Sequence, residues 1–177
     1  MPLRLPRHQD LGTPVIRTDF TDPQGWERLE RALETPVAID EVPDSADHYD
    51  RAVHYVTTLS DEKFRGVRAA DVLAAAPPEH TLPYGHLYLA DAETFASDDL
   101  PLLGIDLDPD LEPFAGERAK PFRIPALHVA SVEANVSIAN LFFCEFHGFT
   151  WDTSPVYVAA PGSAAYEEFR QMDQHEE

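Results

Sequence analysis

Short apolar, β-branched and aromatic runs alternate with segments of helix-forming composition, and this alternation constrains the chain more than any other feature. The runs occupy residues 14–20, 53–59, 85–90, 101–107, 122–124 and 155–159. Residues of this kind suit a pleated backbone with one or both faces covered. After the first run, Thr21-Asp22-Pro23-Gln24 supplies an N-cap oxygen, a proline in the first turn and a Thr-x-x-Gln capping box. Trp26, Leu29, Ala32 and Leu33 then recur on one helical face, and Thr35-Pro36 ends the helix. Residues 67–76 are alanine-rich and stop at Pro77-Pro78. A short helix is predicted over 91–96, and a terminal one over 164–172 behind Ser163. Residues 126–146 satisfy both periods: Val132, Ala134, Val136 and Ile138 alternate, while Val129, Val132 and Val136 fit a helix. The reading takes helix for about 126–136 and extended chain beyond. The pattern predicts an α/β fold: one domain with a central, mostly parallel sheet of five or six strands and flanking helices. That domain spans 13–173, with a flexible, mildly basic arm over 1–12 and a frayed acidic tail over 174–177.

Charge narrows the function classes. The chain has 177 residues, with 13 Lys and Arg against 32 Asp and Glu, a net charge of -19. Such a surface repels phosphate backbones and anionic membranes, so neither nucleic acid nor membrane is an expected partner. The lone Cys144 rules out an internal disulfide framework. No run approaches the roughly 18 apolar residues of a membrane span. Residues 1–10 lack the apolar stretch of a secretory signal, and the expected location is cytoplasmic. The charge is also uneven. Arg4, Arg7 and Arg17 against Asp10 make the first 17 residues basic. Residues 69–117 carry eleven acids and no Lys or Arg.

The chain resembles an uncharacterised family of small acidic α/β domains, common in bacteria with high-GC genomes. The resemblance rests on Ile16-Arg17-Thr18-Asp19-Phe20 with Trp26 and Leu29, on His86 to Asp91, and on Val132-Glu133-Ala134-Asn135 with Ser137-Ile138-Ala139-Asn140. That family usually continues with Met-Asp-Phe-Glu-Glu-Phe, where this chain has Leu141-Phe142-Phe143-Cys144-Glu145-Phe146. The use of eleven arginines against two lysines agrees with a high-GC coding bias. The resemblance implies the fold and assigns no activity or catalytic residue.

Four constellations bear on chemistry. Asp19, Asp91 and Asp106, with Asp108, fall at strand ends, where open parallel sheets bind ligands. Converging carboxylates there would suit Mg²⁺. Asp106, Asp108, Asp110, Glu112 and Glu117 have the oxygen spacing of a calcium loop, but Leu111 stands where its sharp turn needs glycine. Cys144 and His147 are spaced as Cys-x-x-His, which does not bring the side chains together on a strand, so a structural thiol is expected. The acidic sector itself, including Asp98, Asp99, Asp110 and Glu112, suits a basic protein partner. Phe142, Phe146 and Trp151 are candidates for an aromatic docking patch beside it. Isolated glycines form no phosphate-binding loop. The combined expectation is a non-catalytic interaction module without a cofactor. The alternative is a Mg²⁺-dependent phosphoryl-transfer or receiver-like domain using the strand-end carboxylates.

Overall fold

Two strands in the middle of the molecule are buried along their whole length, and the remaining elements are arranged to cover their two faces. The computed structural model describes residues 3–7, 12–34, 37–38, 56–77, 81–107, 120–148 and 157–158. The two strands are β1 (Thr13–Arg17) and β4 (His86–Ala90). Between them in the chain come α1 (Pro23–Leu33), β2 (Val37–Ala38), β3 (Val56–Leu59) and α2 (Ala69–Ala75). After them come α3 (Ala92–Ala96), β5 (Leu102–Asp106), β6 (Phe122–Ile124), α4 (Val129–Ser137) and β7 (Tyr157–Val158). The main sheet has five strands in the order β3-β1-β4-β5-β6. β2 and β7 form a separate antiparallel ribbon.

The sheet is mixed, which corrects the expectation of a mostly parallel one. β1 runs parallel to β3 and β4, whereas β4–β5 and β5–β6 are antiparallel. The reason lies in the connections. The helix between β4 and β5 has five residues, about 7.5 Å of rise. A five-residue strand spans about 17 Å, so this helix cannot carry the chain back for a parallel start. β5 therefore begins at the edge where β4 ends and runs the other way. The longer α1 and α2 connections do make parallel crossovers.

Alternation along the buried strands builds two cores. Val15, Tyr88, Ala90, Leu102 and Ile124 face one side, under Trp26, Leu29 and Leu33 of α1 and Val129 and Val132 of α4. Ile16, Leu87, Leu89 and Ile105 face the other, under Val72 of α2 and Phe64. Leu5 joins this second core from within the stretch expected to be an arm, and the Tyr84 hydroxyl donates to the Pro6 carbonyl at 2.8 Å. Local signals are realised with adjustments. Asp22, not Thr21, caps α1, its carboxylate accepting from the Gly25 amide, with Pro23 in the first turn. Residues 126–128 form a 3-10 turn leading into α4. Beyond α4 the chain is not extended as expected: Phe143–Gly148 is 3-10 helix, which places Phe143 and Phe146 in the first core. The expected strand residues 53–55 and helix 164–172 lie outside the described residues.

Gly104, in the middle of β5, leaves the space that Phe143 fills. A Cβ there would lie 2.7 Å from Phe143 Cζ and 3.2 Å from Ile124 Cδ1. Gly104→Ala is expected to cost about 1–3 kcal/mol by overpacking. Urea unfolding measures it, and an unchanged midpoint contradicts this account of the packing.

Candidate functional site

The densest polar chemistry lies inside the molecule, where α4 crosses β1 and β4. Glu133 projects from the buried side of α4 and is 5% exposed. One carboxylate oxygen accepts from the Thr13 hydroxyl at 2.6 Å. The other accepts from the Tyr88 hydroxyl at 2.5 Å and meets His86 Nε2 at 2.7 Å. Phe143 stacks on the His86 ring, with centroids 4.0 Å apart, and meets Tyr88 edge-on. Burial, and then the adjacent Glu133 carboxylate, push the Tyr88 hydroxyl well above its ordinary value, so it remains a donor. Chemically this is a proton-sharing set of imidazole, carboxylate, phenol and alcohol, closed off from bulk water.

Asp106 belongs to the same end of the sheet. It pairs across β5 with His86, and opposite residues in an antiparallel pair project from the same face. Thr13, His86 and Asp106 thus form a row over β1, β4 and β5 at the amino-terminal edge of β4. The sequence reading missed His86 and Glu133 as a site. The available signal was a charge on the apolar side of a helix: Glu133 is four residues from Val129 and three from Val136.

The other strand-end carboxylates are at the opposite edge. Asp19 and Asp91 follow β1 and β4, and the Asp19 amide donates to the Ala90 carbonyl at 3.3 Å. Because β5 is antiparallel, Asp106 lies across the sheet from them, so the three do not converge. Asp19 accepts from the Thr21 amide and hydroxyl, both at 2.9 Å. Asp91 caps α3 through the Thr94 amide and takes a two-pronged ion pair from Arg123 at 2.9 and 2.8 Å. Burial works to raise the Asp91 carboxyl, but the Arg123 and Thr94 hydrogen bonds and the Arg123 charge together hold it below its usual value. Among the described residues no three His, Cys, Asp or Glu side chains are grouped to hold a metal ion. Asp108 lies outside the described residues, as do Asp110, Glu112 and Trp151.

At this same edge the β1–α1 loop is set by a buried cation. Arg17 donates to the carbonyls of Asp19 at 2.9 Å and Asp22 at 3.2 Å. Its guanidinium lies over Phe20, whose ring Arg65 also covers, at 4.7 and 4.8 Å. Asp98 and Asp99 are exposed on the turn before β5. Phe142 is 46% exposed, whereas Phe146 is 3% exposed and sits in the core. Phe146 is therefore removed from any docking patch. Cys144 is half-buried.

A family model described as a domain of unknown function (DUF6924) matches residues 12–159, which hold every element of both sheets. The chain belongs to that family. No curated protein matches it. The DUF6924 match takes in the Glu133 network, Arg17 and Arg123 alike, while residues 3–7 stand before its start.

Two substitutions weigh these interactions. Glu133→Ala leaves the donors of Thr13, His86 and Tyr88 unserved and is expected to cost about 3–5 kcal/mol in urea unfolding; a cost below about 1 kcal/mol contradicts a central role. Arg123→Met is expected to cost about 1 kcal/mol at neutral pH, since the pair is part-exposed. A depressed carboxyl stabilises the fold above its unfolded value of 3.8 and loses that contribution as pH falls through the folded value. The gap between Arg123→Met and the parent is thus expected to close under acid, and a gap independent of pH contradicts the assignment.

Proposed function

We propose that this domain is a non-catalytic interaction module that engages a basic protein partner through its acidic sector. The observation that carries the reading is how the acids are divided between internal and outward tasks. Asp19 and Asp91 are committed to loop and cap hydrogen bonds, and Glu133 to its buried donors. Arg123 draws Asp91 and Glu93 into one cluster. Asp98 and Asp99 are left exposed beside them. A negative surface of this kind accelerates encounter with a positive one and loses that advantage in salt. Among the described residues the sector does not form one continuous patch. Asp98 and Asp99 precede β5 and Asp106 ends it, so about 17 Å of strand separates the two groups. The docking surface is placed at the Glu93, Asp98 and Asp99 end.

One observation favours the Mg²⁺-dependent alternative: Asp19 and Asp91 follow adjacent parallel strands at the point where strand order reverses. Asp106 has no part in that version.

Fluorescence anisotropy with labelled oligolysine tests the first reading. The parent is expected to bind at low salt and release at high salt. The double variant Asp98→Asn with Asp99→Asn is expected to bind about three- to ten-fold more weakly. Glu27→Gln with Glu34→Gln removes the same charge from α1 and its C-cap and is expected to change binding far less. Equal losses in the two variants overturn the located surface. Thermal stabilisation by millimolar Mg²⁺ that disappears in Asp19→Asn overturns the reading in favour of the alternative.

A further inference from the structure

Residues 3–6 of the N-terminal segment and the turn after β3 line an open cleft of about 820 Å³, within the size range of small-molecule sites. It opens at the carboxyl end of β3, beside that of β1, where α/β sheets place their ligands. Much of its lining is apolar. Leu5 and Phe64, 7% and 2% exposed, come from the second core, and Leu59 and Val67 continue the lining. Gly66 turns the chain at a φ of +72°, and nothing lies within 4 Å of where its Cβ would stand, so the turn leaves the space open.

The charged lining residues are Arg4, Lys63 and Arg65 against Asp61 and Asp71, an excess of one positive charge. Lys63 pairs with Asp61, and Arg65 with Glu62, both at 2.6 Å. Asp71 accepts from the Arg68 amide at 3.0 Å. Arg4 is exposed and takes no carboxylate partner among the described residues. On a chain of charge -19, this leaves a largely apolar slot in which, among the described residues, Arg4 is the lining cation without a carboxylate partner. A phosphate dianion would face Asp61 and Asp71 with its second charge unmatched. A monoanion with an aliphatic body matches both the lining and the charge.

We propose that this cleft binds a medium-chain aliphatic carboxylate, its chain against Leu5, Leu59, Phe64 and Val67 and its carboxylate on Arg4. The outer wall is provided by residues that stand before the family match at residue 12. The segment holds its place through Leu5 in the core and the bond from Tyr84 to Pro6. The site is independent of the acidic surface proposed above, on the far side of β4 in the strand order.

The test is titration of the full chain with decanoate, below its micelle concentration, followed by amide chemical shifts. Saturable shifts are expected at residues 3–7 and 58–67. Decanol is expected to bind about five-fold more weakly, the share of one exposed charge pair. Arg4→Gln is expected to bring decanoate down to the affinity of decanol, and Ser60→Trp, a rim substitution that fills the cleft, to abolish both. Circular dichroism shows that each variant is folded. Absence of saturable shifts at these residues overturns the proposal. So does an unchanged preference for decanoate in Arg4→Gln, or binding that survives in a folded Ser60→Trp.

Discussion

Withdrawing a carboxylate from water costs several kcal/mol unless the interior supplies its hydrogen bonds, and Glu133 imposes that condition on the whole first core. Its donors come from β1 and β4, so α4 must lie where one side chain reaches Thr13, His86 and Tyr88 together. Apolar packing alone tolerates small slides of a helix over a sheet. Three directed bonds to one carboxylate do not. Phe143 then closes over His86, and the bare backbone of Gly104 receives it. The network therefore fixes the register of α4 and the course of the chain that follows it.

The two faces of the sheet are stabilised in different ways. The face under α1 and α4 combines apolar burial with this polar set. The other relies on α2, Phe64 and the N-terminal Leu5, and it leaves a cleft where the covering segment meets the turn after β3. The edge where β1 and β4 end is organised by cations: Arg17 fixes the β1–α1 loop and Arg123 neutralises the cap of α3. Arg123 ties up the Asp91 and Glu93 carboxylates, whereas Arg17 serves backbone carbonyls.

Much of the layout was legible in the sequence because it rests on local physics. The runs at β1, β4 and β5 contain side chains suited to burial on both faces, the spacing of Trp26, Leu29 and Leu33 defined α1, and Pro23 marked its start. The antiparallel turn at β5 was legible in principle, since a five-residue helix is too short to return the chain. The carboxylate row was not. Asp19, Asp91 and Asp106 look equivalent along the chain, and reversing one strand sends Asp106 to the other edge.

The sequence by itself determined the α/β class, the start of α1 and the concentration of acids over 69–117, because period, capping and composition act over a few residues. Only the tertiary structure decided which of those acids face solvent, which accept internal hydrogen bonds, and that His86, Tyr88, Thr13 and Glu133 meet. Those outcomes depend on strand direction and on helix placement over the sheet, which bring together residues separated by up to 120 positions.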